Sequence, residues 1–157
     1  MARVYLTIVS FMVWLLAGCS GLKTYSGNLN ENLRIITETD SGSVFSRVDA
    51  AVDIHEVKAD CSTEYAGTVR LDNSSIDIGI PTGRSSYLVF VFESSGFFSG
   101  DSSITYNTLI RPRVGYRYDA SVSYKDDIYN VIINEVDKAS KKRRELDTRG
   151  MSACRAV

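Results

Sequence analysis

Residues 116–124 read Tyr-Arg-Tyr-Asp-Ala-Ser-Val-Ser-Tyr, and their order decides the fold class. Tyr116, Tyr118, Ala120, Val122 and Tyr124 alternate with Arg117, Asp119, Ser121 and Ser123, a period of two that assigns one set to each face of a β-strand. A helix would bring Arg117 and Asp119 in among the apolar side chains. Pro112 and Gly115 punctuate the approach, as expected at the start of a strand.

The same period recurs on either side. Val48, Ala50, Val52 and Ile54 alternate with Arg47, Asp49, Asp53 and His55, and Ile76, Ile78 and Ile80 alternate with Asp77 and Gly79. Two runs are apolar on both faces, Tyr87–Phe92 and Ile128–Ile133; rich in β-branched and aromatic types and too short for helices, they are expected to be central strands. Asn32–Thr39, Glu64–Leu71 and Ile104–Ile110 complete about eight strands. Turn-forming clusters separate them at Asp40-Ser41-Gly42, Asp72-Asn73, Pro81-Thr82-Gly83, Ser94–Ser103 and Lys125-Asp126-Asp127. Only Asp137–Leu146 leaves room for a short helix near the carboxyl terminus. The expectation is an all-β antiparallel sandwich of immunoglobulin-like or transthyretin-like kind. Gly67–Leu71, Ile80-Pro81-Thr82-Gly83 and Tyr87–Val91 resemble the small-hairpin pattern of PEGA-type surface domains.

The amino terminus differs in kind from the rest. After one cation, Arg3, residues 4–16 carry no charge, a run too short to span a bilayer and suited to a signal-peptide core. It ends in Leu16-Ala17-Gly18-Cys19, followed by polar Ser20-Gly21, and this resembles the lipobox of bacterial lipoproteins. The resemblance implies cleavage before Cys19, a diacylglycerol on its thiol and an acyl chain, palmitate or similar, on its new amino group. Three segments follow: signal peptide 1–18, lipidated cysteine and flexible tether 19–31, and a β-sandwich domain 32–157. Ser20 stands where aspartate favours inner-membrane retention in enterobacterial lipoproteins, so the resemblance points to the periplasmic face of the outer membrane.

With Cys19 lipidated, Cys61 and Cys154 remain as an even pair in an oxidising compartment and are expected to form a disulfide. No C-x-x-C pair suggests a metal or redox role.

Composition narrows the function classes. In 157 residues, 18 Lys and Arg stand against 19 Asp and Glu, a near neutrality that argues against nucleic acid as a partner. The one histidine, His55, two residues from Asp53, cannot complete a metal site or a nucleophile–histidine arrangement without partners the sequence does not offer. Asp126-Asp127 reads as a turn rather than a facing acid pair, and glycine-rich phosphate loops are missing. The expectation is no catalytic residues, no metal and no cofactor.

Two features point to binding instead. Phe97 and Phe98 lie between glycines in the Ser94–Ser103 stretch, where they either cover the sandwich or meet a partner. Lys138–Arg149 is a basic run that could touch anionic head groups beside a lipid anchor. The expected function is a non-catalytic, lipid-anchored binding or accessory module of an envelope protein assembly; alternatives are a small-ligand or glycan binder, for which tyrosines would line a cleft, and an inhibitor of a periplasmic enzyme. Envelope machines such as the type VI secretion system use lipidated transthyretin-like sandwiches of similar size, which this chain resembles in plan.

Overall fold

The computed structural model describes residues 22–27, 29–39, 46–96, 100–125 and 128–155. Among the described residues nine strands form two packed sheets. One sheet contains β1 (Leu33–Thr39), β4 (Ser75–Ile78), β7 (Tyr116–Lys125), β8 (Ile128–Asp137) and β9 (Arg143–Glu145) in the order β4-β1-β7-β8-β9. The other contains β2 (Ser46–Val57), β3 (Thr63–Arg70), β5 (Ser86–Gly96) and β6 (Gly100–Ile110) in the order β3-β2-β5-β6.

Among the described strands six of the seven pairings are antiparallel. The seventh joins β1 to β7, which pair in parallel from Leu33↔Tyr118 to Thr39↔Tyr124. The sandwich is therefore antiparallel apart from this one pair.

The core is built from the inward sets that the alternation marks. Tyr118, Ala120 and Val122 of β7 meet Val52 and Ile54 of β2, Leu88, Phe90 and Phe92 of β5, Leu33 and Ile35 of β1, and Val131 and Ile133 of β8 in one cluster. Each fully buried Leu, Ile or Phe contributes roughly 1.5–3 kcal/mol relative to exposure. At the end of the sandwich where β5 finishes, the Phe92 and Tyr129 rings are 4.9 Å apart and Tyr124 stacks on Tyr129 at 4.6 Å.

Four expectations need correction. Asp137–Leu146 is not a helix: Asp137 Oδ1 accepts the backbone N–H groups of Ala139 and Ser140, both at 2.8 Å, Lys141 adopts a φ of 59°, and the chain returns as β9 against Asn134–Val136. An aspartate-closed turn and a left-handed residue stop a helix before its first full turn. The only helical turn among the described residues is Met151–Ala153. Ser94–Ser103 is mostly ladder, paired from Ser94↔Ser102 to Gly96↔Gly100, and the Ser94 and Ser102 hydroxyls are 2.7 Å apart across it. β5 is central, but β8 is not central along its apolar run, because β9 is three residues long and leaves Ile128 68% exposed.

The fourth concerns the stretch expected as free tether. Lys23–Tyr25 lies along the outer edge of β3: Thr24 makes a parallel bridge with Thr68, Tyr25 N donates to Thr68 O at 2.9 Å and Thr68 N donates to Lys23 O at 2.8 Å. Tyr25 packs against the core and its hydroxyl donates to Gly79 O at 2.7 Å. A half-buried tyrosine with a satisfied hydroxyl fixes a segment that its polar neighbours alone would leave free. Residues 1–21, Asp40-Ser41-Gly42, Phe97, Phe98 and Asp126-Asp127, with the lipobox, turn and partner-contact expectations placed on them, lie outside the described residues.

Candidate functional site

The carboxyl-terminal tail shapes one end of the sandwich, where β2, β6 and β8 finish. Cys61 sits in the β2–β3 turn at a φ of 64°, its N–H donating to Lys58 O at 3.0 Å. Cys154 follows the helical turn Met151–Ala153, and the two cysteines form a disulfide with Cα atoms 5.9 Å apart. Before that turn the tail runs beside β6: Leu109 N donates to Arg149 O at 2.7 Å, Arg149 N donates to Thr108 Oγ1 at 3.2 Å, and the Tyr106 and Thr148 hydroxyls are hydrogen-bonded. One covalent bond and three hydrogen bonds thus hold the tail across the end of the sheet.

A cleft of about 880 Å³ opens between the tail, the β2–β3 turn and the β4–β5 loop. Its lining includes Lys58, Arg84, Arg111, Arg149 and Arg155, and among the described residues Glu56 is its one acid. Lys58 is paired with Glu64 at 3.0 Å on the open surface. Arg111 Nε donates to Gly83 O at 3.2 Å. Among the described residues no carboxylate lies within ion-pair distance of Arg84, Arg111, Arg149 or Arg155.

The neighbouring arginines are arranged differently. A second cleft of about 300 Å³ adjoins the first along Leu109–Arg111 and Arg149, and at its wall Glu135 is only 5% exposed. Arg113 donates to both Glu135 oxygens, at 3.0 and 2.5 Å, Arg144 donates at 2.9 Å and the Tyr118 hydroxyl at 2.8 Å. Burial pushes the Glu135 carboxyl up, but these donors and the Arg113 charge overcome it and hold the group below its ordinary value. The same bonds raise Arg113, whose guanidinium lies 3.9 Å over the Tyr116 ring. Burial raises Tyr118 first, with its donation to Glu135 acting in the same direction. On the outer face of the sheet Asp119 receives a bidentate pair from Arg117, at 2.8 and 3.1 Å, and Arg143 stands 3.6 Å away.

The basic run Lys138–Arg149 therefore divides. Arg143 and Arg144 compensate buried carboxylates, Lys138, Lys141 and Lys142 are exposed around the β8–β9 turn, and Arg149 joins the large cleft. The expectation missed Arg84 and Arg155, which are isolated cations in sequence, and Arg111, which shares its short stretch with Arg113 and Arg117; the arginine density of the tail was the only pointer.

Asp53 and His55 occupy the outer face of β2, and no hydrogen bond joins them. The Thr68 hydroxyl donates to Asp53 and is itself 2.6 Å from the Tyr65 hydroxyl, while His55 lies between the rings of Tyr65 and Tyr87 at 5.5 and 6.3 Å. Among the described residues no group of three or more His, Cys, Asp or Glu could hold a metal ion. A third cleft, of about 390 Å³, is lined in part by Tyr25 and Tyr65, but the Tyr25 hydroxyl is spent on Gly79.

No family model and no curated protein matches the chain. Among solved structures, transthyretin from Sparus aurata is similar at a TM-score of 0.39 and 13% identity, with 66% of this chain and 97% of that one covered.

Proposed function

We propose that this chain is a lipid-anchored, non-catalytic binding module of a bacterial cell envelope, held through Cys19 at the periplasmic face of the outer membrane and serving an envelope protein assembly. The observation that carries the reading is the docking of Lys23–Tyr25 on β3. Only Ser20, Gly21 and Leu22 separate the lipobox cysteine from the folded domain, so a lipid on Cys19 would hold that domain within about 14 Å of the bilayer surface. An enzyme serving soluble substrates gains nothing from so short a leash, whereas a module that must stay at the membrane does.

The two ends of the sandwich then have different tasks. The parallel bridge at Thr24 means that the chain enters from the Thr63 end of β3, which is the end carrying the arginine cleft. Gly96 and Gly100, which flank Phe97 and Phe98, close the opposite end of β5 and β6. Those two phenylalanines remain the residues proposed to meet a protein partner.

The test is Cys19→Ala in a Gram-negative host. Loss of the acyl mass and release from the membrane fraction is the expected result; unchanged mass and fractionation overturn the anchor. A photo-crosslinking residue at Phe98 in the lipidated protein is expected to capture one envelope protein, absent when the probe sits at Ser121 on the outer face of β7.

A further inference from the structure

We propose that the disulfide-clamped arginine cleft binds the phosphate groups of anionic lipid head groups in the membrane that carries the anchor. This rests on the anchored reading for its geometry and goes beyond it by giving the membrane-facing end a ligand.

The first argument is charge. In a chain whose acids and bases nearly cancel, Arg70, Arg113, Arg117, Arg143 and Arg144 have carboxylate partners; of the arginines with none among the described residues, Arg34 stands apart on β1, while Arg84, Arg111, Arg149 and Arg155 share one cleft. Gathering like charges opposes folding, so their grouping requires a restraint or a ligand. The restraint is the tail itself, tied by Cys61–Cys154 and by the Leu109–Arg149 bond, which keeps Arg149 and Arg155 in the same cleft as Arg84 and Arg111.

The second is chemistry. A guanidinium presents two parallel N–H donors that match the oxygens of a phosphate, and it gives up its hydration more readily than an ammonium. Four of them around about 880 Å³ suit more than one phosphate-bearing group.

The third distinguishes a lipid surface from an acidic protein. At the tip of the adjoining β6–β7 loop Val114 is 83% exposed, between Arg113 and the left-handed Gly115, and Leu22 at the start of the docked segment is 76% exposed. Bare aliphatic side chains beside a cluster of cations fit the boundary between head groups and acyl chains, where each finds its own solvent. The docked segment enters from this same end, which directs the cleft toward the bilayer.

The experiment uses the full-length protein with nanodiscs of phosphatidylcholine, with or without phosphatidylglycerol, and follows phenylglyoxal modification of individual arginines by mass spectrometry. Modification of Arg84, Arg149 and Arg155 is expected to slow about fivefold on the anionic discs, with Arg70 at the far end of β3 unchanged. Arg84→Gln with Arg149→Gln is expected to abolish the protection at Arg155. Equal modification on both discs overturns the proposal. Protection by inorganic pyrophosphate on neutral discs, without protection by phosphatidylglycerol, also overturns it and assigns the cleft to a free phosphate. Intact mass of the same sample separates the two readings: acyl chains present without protection fail the cleft alone, and protection without acyl chains fails the anchor alone.

Discussion

Tyr118 and Glu135 stand directly opposite each other on β7 and β8, both turned inward at the end of the core, and the Tyr118 hydroxyl donates to Glu135 Oε2 at 2.8 Å. The pair converts a core position into an ionic one: Tyr118 is 1% exposed, and the carboxylate beside it is compensated from outside by Arg113 and Arg144. Removing the charge leaves two half-exposed guanidiniums that water can serve, so the loss falls below that of stripping a partner from a fully buried pair.

Glu135→Gln is accordingly expected to lower stability at pH 7 by about 2 kcal/mol. Glu135 is held below its ordinary value in the fold, so its stabilisation is complete above the unfolded carboxyl range and is lost as pH falls through the lower folded value. The gap between the native protein and the variant therefore narrows below about pH 4. Urea titrations across that range check it, and a gap that stays constant would show that the glutamate acts through packing alone.

Gly67 is where the β3 edge admits the amino-terminal segment. A Cβ there would lie 2.7 Å from the backbone of Tyr25 and 2.9 Å from Lys23 O, and its φ of 150° suits glycine. Gly67→Ala is expected to displace Lys23–Tyr25 while β2 and β3 stay paired. Hydrogen exchange should quicken at Tyr25 and Thr68, whose N–H groups bond across this edge, and remain slow at Val52. Unchanged protection at Tyr25 would show that the segment is held elsewhere.

Much of this architecture is legible along the chain. The alternation at 116–124 places Asp119 outside and Tyr118 inside, and that at 48–55 puts Asp53 and His55 on the outer face. What escapes is decided by residues far apart. The parallel pairing of β1 with β7 joins strands far apart in the chain and is not written in either strand's own pattern. Asp137 and Lys141 stop a helix through one side chain and one backbone angle. Tyr25 is the one aromatic in a polar stretch and was the available signal that the stretch is docked. The arginine cleft draws on four separate loops and tail positions, so no local window contains it.

The disulfide ties a loop with a sequence separation of 93, for which the chain-entropy model gives up to about 4.5 kcal/mol. Cys61→Ser with Cys154→Ser is expected to lower stability by most of that amount and to free the tail. Exchange at Leu109, whose N–H is held by Arg149 O, should rise more than the global loss predicts. Uptake of an alkylating reagent by both cysteines of the native protein without prior reduction would contradict the bond.

Asn32 carries the last prediction, because its side chain acts as a short piece of β-ladder. Buried at 4% exposure, it donates through Nδ2 to Ile80 O at 3.0 Å and accepts Ile80 N at Oδ1 at 2.8 Å, fixing the loop that leads into β5 and the cleft. Asn32→Leu, similar in size, leaves a buried N–H and a buried C=O without partners and is expected to cost about 2–4 kcal/mol. Asn32→Asp separates the two bonds. Ionised, the introduced carboxyl still accepts from Ile80 N but faces the Ile80 carbonyl with negative charge; protonated, it can donate to that oxygen and restore both bonds. Its proton is therefore held more tightly folded than unfolded, so the deficit is greatest at pH 7 and shrinks as pH falls toward the unfolded carboxyl range near about 4. Chemical denaturation of both variants at pH 7 and in acid distinguishes this from a simple packing defect, for which the Asn32→Asp deficit would not change with pH.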